Sequence, residues 1–368
     1  MEYIALKNIC KINMGQSPDS SSYNDNKDGI PFFQGNADFG EKYPVTRVWC
    51  NAPIKVAQPN DILISVRAPI GALNFAKEEC CIGRGLAALT PDRSKVSLEF
   101  IYWVLKWKKA ELNSKGTGST FKAISRKVLE ETLVPAIDFE KQYEYAEILG
   151  KTYSVIKKYK KELNCLDGLI KARFVELFDG KYPEDTLLNL CNIVDYRGKT
   201  PEKVEHGLPF ITAKNVKMHH MTLEPREYIS KETYDKVMVR GFPKEGDVVF
   251  TTEAPLGNVC RIPHFDTEFY IGQRIVTMQT DALNPTYLEY ALSDEEFVRK
   301  YMGKSSGSTV TGIRVRLLEQ LTIPVPARTL QDEFSTFVHQ VDKSKVAVQK
   351  ALDETQMLFD SLMQEYFN

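Results

Sequence analysis

The longest regular pattern of apolar and polar positions is a helical stripe that occurs twice in the chain. Apolar residues recur at spacings of three and four over residues 138–178 and again over residues 330–367. A stripe of this kind, with charged residues on the remaining faces, predicts an amphipathic helix that packs against another helix. The apolar contact positions that we assign are Leu149, Ile156, Leu163, Ile170, Val338, Val341, Leu352 and Phe359.

Neither helix could bury its stripe alone, so we expect the two helices to pair. The chain leaves the first helix, forms another globular domain and then enters the second helix. This order favours an antiparallel coiled coil with one domain at each end of a common rod. At 1.5 Å per residue, a helix of about 40 residues would be roughly 60 Å long. The alternative is that each helix packs only on its own domain.

The rest of the chain is also written twice. Residues 61–71 (DILISVRAPIG) correspond to residues 247–257 (DVVFTTEAPLG) at an offset of 247 − 61 = 186. From Ile82 and Ile271 onward the offset is constant, at 271 − 82 = 189. A repeat this long exceeds the roughly 20–50 residues of a solenoid unit, so each copy is a domain with an appended helix. Because the offset drifts only in the first part of each copy, we expect loop insertions there.

Between the helices the pattern predicts mixed structure. Short β-branched runs bounded by Pro, Gly and Asn predict strands, whereas residues 98–113 and 286–302 predict helices. The predicted fold class is therefore α+β, with two tandem mixed α/β domains that are each followed by a long helix. The predicted boundaries are 1–137 for the first domain, 138–179 for its helix, 180–326 for the second domain and 327–368 for the second helix.

Composition and charge limit the possible functions. The formal net charge is −1, so the chain cannot bind nucleic acid through bulk charge, and any DNA contact must be local. No apolar run approaches the roughly 18 residues of a membrane span, and the first residues lack a signal-peptide pattern, which predicts a cytoplasmic protein. The seven cysteines are scattered without a C-x-x-C pair, which predicts reduced thiols and no metal site.

Motifs for catalysis are missing from both copies. All five histidines lie in the second copy, so the copies cannot share a histidine-based mechanism. The chain has no glycine-rich dinucleotide fingerprint and no phosphate-binding loop. Asn284-Pro-Thr-Tyr287 is better explained as the start of a helix than as a methyltransferase motif. We expect no catalytic residue and no cofactor in this chain. The alternatives are a stand-alone DNA modification or cleavage enzyme and a coiled-coil scaffold without a DNA role.

Polar, small and basic residues instead recur at loop positions of both copies. Lys, Arg, Ser and Thr contact phosphates, and Arg, Asn and Gln read base edges, so these loops are candidates for DNA binding. A Gly-Ser-Thr segment before a short helix is equally an ordinary helix cap. In the first copy the candidates are Gln16, Ser17, Gln34, Asn36, Arg67, Arg84, Lys115, Thr117, Ser119, Thr120 and Lys122. In the second copy they are Arg197, Lys199, Thr200, Lys214, Asn215, Arg274, Lys304, Ser305, Ser308, Thr309, Arg314 and Arg316.

Taken in order, the repeated motifs resemble the specificity (S) subunit of type I restriction-modification systems. The resemblance covers essentially the whole chain. It rests on the paired motifs Gly15-Gln-Ser-Pro18 with Gly29-Ile-Pro-Phe32 and Gly198-Lys-Thr-Pro201 with Gly207-Leu-Pro-Phe210, on Ala-Pro-x-Gly at 68–71 and 254–257, and on Gly-Ser-Thr ahead of each long helix. The first copy departs mildly, because Ser17 stands where the family often has Thr.

The resemblance implies a function and a set of partners. Two target-recognition domains would each read one half of a bipartite, asymmetric sequence in double-stranded DNA, and the antiparallel helices would set the spacing between the halves. The chain would recruit two adenine methyltransferase (modification) subunits, and the full system would add restriction/translocase subunits. S-adenosylmethionine, ATP and Mg would belong to those partner subunits, and this chain would be non-catalytic.

Overall fold

The computed structural model describes residues 2–118, 122–180, 182–196, 201–272, 274–307 and 311–368. The chain forms two compact units. Unit 1 comprises residues 1–161 and 349–368, and unit 2 comprises residues 162–348. Each unit therefore combines one copy of the globular part with a segment of both long helices.

Unit 1 contains eleven short strands among its described residues, and three α-helices precede the first long helix. The strands are β1 (Tyr3–Ala5), β2 (Cys10–Met14), β3 (Tyr23–Asn24), β4 (Ile30–Phe33), β5 (Trp49–Cys50), β6 (Val56–Ala57), β7 (Ile62–Ser65), β8 (Leu73–Phe75), β9 (Cys80–Ile82), β10 (Leu86–Pro91) and β11 (Leu133–Pro135). The helices are α1 (Leu98–Trp107), α2 (Lys109–Ser114), α3 (Arg126–Glu130) and the long α4 (Phe139–Phe178).

Two sheets form the centre of unit 1. The first is antiparallel with the order β2-β10-β7-β8, and the second has the order β3-β5-β4-β9-β6 with a parallel β4–β9 pair. Strands β1 and β11 form a separate antiparallel pair. Strand β7 is buried along its length, which explains why Ile62, Leu63 and Ile64 are consecutive apolar residues rather than alternating ones.

Unit 2 repeats this plan with local differences. Its strands are β12 (Glu184–Thr186), β13 (Asn192–Val194), β14 (Leu208–Ile211), β15 (Val216–Lys217), β16 (His220–Met221), β17 (Tyr228–Ile229), β18 (Val248–Thr252), β19 (Leu256–Arg261), β20 (Tyr270–Ile271), β21 (Ile275–Gln279) and β22 (Thr322–Pro324). Its helices are α5 (Leu187–Leu190), α6 (Lys231–Val237), α7 (Pro285–Ser293), α8 (Glu295–Lys304) and α9 (Val315–Leu318), and the long α10 (Arg328–Phe367) begins in this unit.

The sheet orders of unit 2 match those of unit 1. The antiparallel order β13-β21-β18-β19 corresponds to β2-β10-β7-β8, and the parallel pair β14–β20 corresponds to β4–β9. The pair β12–β22 corresponds to β1–β11, whereas the hairpin β15–β16 is an addition to unit 2. The repeat in the sequence is therefore a repeat of the fold.

The two long helices run antiparallel within each unit. In unit 1 the rings of Tyr145 and Tyr366 stack with their centroids 3.8 Å apart. In unit 2 an Arg173 Nη2 atom lies 2.6 Å from Glu333 Oε1, and Lys345 Nζ lies 2.7 Å from Asp167 Oδ1. Contacts that advance along α4 recede along α10, which confirms the predicted antiparallel coiled coil.

The predicted contact positions lie along the buried side of these helices. Ile170 and Val338, for example, are each 1% exposed. Leu163 is only half-buried. The buried positions are Leu149, Ile156, Ile170, Val338, Val341, Leu352 and Phe359.

The structure corrects the two shorter predicted helices, because each is divided. Residues 98–113 form α1 and α2, which are separated at Lys108, where ψ is 0°. Residues 286–302 form α7 and α8, which are separated at Asp294. Asp294 has extended backbone, and its side chain accepts a hydrogen bond from the Glu296 amide, so it caps α8. The helix start predicted at Asn284 and Pro285 is confirmed, since Asn284 Oδ1 accepts from the Thr286 amide at 2.9 Å.

Candidate nucleic-acid interface

In unit 1 the backbone brings together predicted site residues that are distant in the sequence. The Gln16 amide donates to the Ile82 carbonyl at 3.0 Å, and the Arg84 amide donates to Ser17 Oγ at 3.3 Å. The Gly85 amide donates to the Gln34 carbonyl at 3.1 Å. These bonds join the segments around residues 16, 34 and 84 at one edge of the two sheets.

The remaining segments reach the same edge through β7. The Val66 amide donates to the Gly85 carbonyl at 2.9 Å. Because the two segments continue the antiparallel pairing of β7 and β10, the next residue, Arg67, lies beside Arg84. The Ala68 amide donates to the Lys122 carbonyl at 3.0 Å. Gly85 is needed for this convergence, because a Cβ atom there would lie 2.4 Å from the Gln34 carbonyl oxygen.

Four of the predicted residues line one open pocket of about 390 Å³. Its lining consists of Gln34, Gly35, Asn36, Ala37, Asp38, Arg67, Arg84 and Gly85. Within the described ranges, neither arginine forms an ion pair, and both are exposed. The one acidic residue of the lining, Asp38, accepts the amides of Gln34 and Gly35 at 2.8 and 3.3 Å, so its carboxylate stabilises a turn. The pocket thus presents two guanidinium groups, which have no ion-pair partner among the described residues, beside two amide side chains and the Asp38 carboxylate.

The loop that follows α2 contributes basic and hydroxyl side chains next to this pocket. Thr117 and Lys122 are exposed, and an antiparallel bridge joins Thr117 to Ala123. Lys115 is also exposed, but its Nζ lies 2.6 Å from Glu111 Oε1, which offsets its charge in this state. The predicted residues Ser119 and Thr120 lie outside the described residues.

The equivalent edge of unit 2 carries different chemistry. Glu253 occupies the position of Arg67, and Arg274 occupies the position of Gly85. Arg274 Nε lies 3.1 Å from Glu253 Oε1, and both side chains are about half exposed. Lys214, which lies three residues after the end of β14, is exposed.

The structure corrects the prediction for Asn215. Its side chain is 1% exposed. Asn215 Oδ1 accepts from the Thr212 amide at 3.0 Å, and Nδ2 donates to the carbonyls of Thr222 and Pro225 at 3.1 Å. An amide that is buried and fully bonded in this way holds a turn, so we remove Asn215 from the DNA-contact candidates.

Other predicted residues of unit 2 lie around α8 and α9. Lys304, Arg314 and Arg316 are exposed, whereas Ser305 is half-buried, and its Oγ donates to the Met302 carbonyl at 2.7 Å. Ser305 therefore completes the end of α8. The predicted residues that lie outside the described ranges are Arg197, Lys199, Thr200, Ser308 and Thr309.

Sequence reasoning missed a cluster of polar side chains around one buried carboxylate in unit 2. Glu289 is 1% exposed, and its two carboxylate oxygens lie 2.6 Å from Arg261 Nε and 2.9 Å from His219 Nδ1. The ring of His219 stacks on Tyr290 with centroids 4.3 Å apart. Burial lowers the pKa of Arg261, but the nearby Glu289 carboxylate more than offsets this and leaves that pKa raised. His219, Arg261 and Glu289 are each more than 25 positions apart along the chain, so no local spacing could have indicated the cluster.

Two further features of the described residues concern possible metal ligands and the state of the buried thiols. No group of three His, Cys, Asp or Glu side chains among them could hold a metal ion. Burial raises the pKa of Cys10, Cys80, Cys191 and Cys260 to about 12, so these thiols stay protonated near neutral pH. Across the same residues, every helix is too short or too polar to cross a membrane.

Comparison with known proteins identifies similar chains over both copies. Residues 1–165 and 186–355 match the model of the type I restriction modification DNA specificity domain. The putative type I restriction enzyme MjaX specificity subunit of Methanocaldococcus jannaschii is 42% identical over 171 residues, which are 46% of this chain and 40% of that protein. The match thus spans two fifths of that relative's length.

Two further matches extend over the chain. The type I restriction enzyme EcoBI specificity subunit of Escherichia coli is 20% identical over 414 aligned residues, covering 99% of this chain and 85% of that protein. The crystal structure of the type I restriction-modification system S subunit from M. genitalium matches with a TM-score of 0.61 and 16% identity, covering 100% of this chain and 96% of that chain. At that identity the structural match establishes the shared fold.

Proposed function

The chain belongs to the type I restriction-modification DNA specificity family, and on this basis we propose that it is the sequence-reading subunit of a type I restriction-modification complex. The observation that carries the proposal is the pocket of unit 1, where Arg67 and Arg84 converge with Gln34 and Asn36. Uncompensated guanidinium groups attract phosphates and guanine, and amide side chains pair with adenine. A net charge near zero favours such a local contact over binding through bulk charge.

Each unit reads one half of a bipartite, asymmetric target in double-stranded DNA under this proposal. The two units share a fold but present different side chains at equivalent positions, which supports different half-sites. The paired helices would then set the spacing between the halves.

The chemistry of modification and cleavage belongs to partner subunits under this proposal. Two adenine methyltransferase subunits would bind S-adenosylmethionine, and restriction/translocase subunits would use ATP and Mg. The chain itself contributes specificity without catalysis, and the complex acts in the cytoplasm.

A methylome tests the proposal directly. The full chain is co-expressed with a cognate adenine methyltransferase subunit in a host that lacks adenine methylation, and methylated positions are read by long-read sequencing. We expect methyl-adenine at one bipartite motif. Exchanging residues 1–137 for those of another family member should change one half of the motif and leave the other half intact. Methylation that is absent, or that ignores the exchange, contradicts the proposal.

A further inference from the structure

Arg67 and Glu253 occupy the same place in the two copies of the fold. Each is the seventh residue of the repeated segments 61–71 and 247–257, and each follows an inner strand of its four-stranded sheet, β7 or β18. The Val66 amide donates to the Gly85 carbonyl, and the equivalent Thr252 amide donates to the Arg274 carbonyl. Equivalent strands therefore hold the two backbones.

A second backbone contact fixes the other side of each position. The amides of Ile124 and Ile313 donate to the carbonyls of Val66 and Thr252, both at 2.9 Å. Antiparallel bridges join Arg67 to Ala123 and Glu253 to Gly312. The backbones of Arg67 and Glu253 are thus held in the same way on both sides, but their side chains differ. Arg67 is a cation with only hydrogen-bond donors, and Glu253 is an anion with only acceptors.

From this juxtaposition we propose that Arg67 and Glu253 are paired specificity-determining positions, with Arg67 reading a guanine in the first half-site and Glu253 reading a cytosine in the second. This inference rests on the proposed function. Arginine donates two hydrogen bonds to the O6 and N7 acceptors of guanine, whereas glutamate accepts from the N4 amino group of cytosine. Glu253 repels the acceptor edge of guanine, so the same position in the two units selects opposite members of a G·C pair.

The surroundings of each residue fit these roles. Arg67 forms no ion pair within the described part of the chain, so its guanidinium is available to a base in the pocket that it shares with Arg84. Glu253 is paired with Arg274, which offsets the repulsion that a bare carboxylate would meet beside DNA phosphates. The Glu253 side chain nevertheless stays 43% exposed, which leaves the carboxylate accessible to a donor.

The test compares the methylomes of Arg67→Ala and Glu253→Gln with the methylome of the wild-type complex. Arg67→Ala should relax one position of the first half-site that specifies a G·C pair, with a loss of preference of roughly 10- to 100-fold. Glu253→Gln should relax one position of the second half-site that specifies a C·G pair. The other half of the motif should not change in either variant.

Matched controls lie at the opposite ends of neighbouring strands. Arg93 is an exposed arginine just past the end of β10, and Asp281 is an exposed acid just past the end of β21. Arg93→Ala and Asp281→Asn should leave the motif unchanged. Thermal unfolding and co-purification with the methyltransferase subunit establish that each variant is folded and assembled.

The outcomes separate this inference from the proposed function. If the wild-type complex methylates no bipartite motif, the proposed function fails. If the motif is present but Arg67→Ala weakens methylation at all sites without changing any base preference, Arg67 contacts a phosphate and the inference is wrong. Relaxation at an A·T pair in either variant also overturns it.

Discussion

At the scale of single residues, one glutamine fixes the start of each long helix. Gln142 and Gln331 are 5% and 1% exposed. Gln142 Nε2 donates to the Ile137 carbonyl, and its Oε1 accepts from the Ser97 amide. Gln331 makes the same two bonds, to the Pro326 carbonyl and from the Asn284 amide. The constant offset of 189 that the sequence shows at these glutamines thus reflects one structural device that is used twice.

Replacing either glutamine with leucine should destabilise its unit. Gln331→Leu leaves the half-buried Asn284 amide and the buried Pro326 carbonyl without their Gln331 partners, which should lower the free energy of unfolding by about 1–3 kcal/mol. Chemical denaturation of the full chain measures this. Gln349→Leu is the control, because Gln349 is exposed on the same helix and should change the free energy by less than about 0.5 kcal/mol. Equal losses in both variants would contradict the role of Gln331.

Thiol reactivity gives a second prediction at this scale. Six cysteines are buried and Cys165 is exposed. Burial raises the pKa of Cys10 and Cys260 to about 12, so the thiolate that reacts is scarce below that pH in the folded chain. A disulfide reagent at pH 8 should therefore modify one thiol per native chain quickly and the other six only after unfolding. Cys165→Ser should abolish the fast reaction, and rapid modification of a second thiol would contradict the burial.

At the scale of elements, periodicity predicted the long helices well and the site only in part. An apolar stripe is a local signal, so α4 and α10 could be located from the sequence. The break between α7 and α8 depends on Asp294 capping the second helix, and the sequence pattern continues through it. Likewise Asn36 and Asn215 are both polar loop residues, yet only the structure shows that Asn215 is buried. The pocket of unit 1 needed tertiary contacts that no spacing encodes.

The helix pairing makes a prediction that two leucines of α4 can test. Leu149 is 0% exposed, whereas Leu169 is 49% exposed. Leu149→Ala should lower the free energy of unfolding by about 2–5 kcal/mol, because it removes buried methyl groups and leaves a cavity. Leu169→Ala should change it by less than about 0.5 kcal/mol. If thermal and urea unfolding gave similar losses for the two, the assigned face of the helix would be wrong.

At the scale of the whole molecule, the net charge is near zero, and positive charge is concentrated in local groups of basic side chains. The net charge is −1. Arg126 and Lys236, for example, each form an ion pair with an acid one turn away on the same helix. Surface pairs of this kind contribute little to stability and leave little net field. Arg67 and Arg84 line the pocket of unit 1, Lys122 lies beside it, and these three exposed basic side chains form no ion pair within the ranges that the structure describes. Attraction to phosphates should therefore come from a few positions.

The salt dependence of DNA binding distinguishes local from bulk attraction. Lys122→Ala removes an exposed lysine beside the pocket, and Lys127→Ala removes a lysine on α3 whose Nζ lies 3.8 Å from Glu131. The two variants change the net charge equally. Binding of the full chain to a mixed-sequence duplex is measured by fluorescence anisotropy over a salt series. Lys122→Ala should reduce the slope of log affinity against log salt by about 1, and Lys127→Ala should leave it unchanged. Equal changes of slope in the two variants would mean that DNA binding depends on total charge, and they would contradict a local contribution from the residues around the pocket.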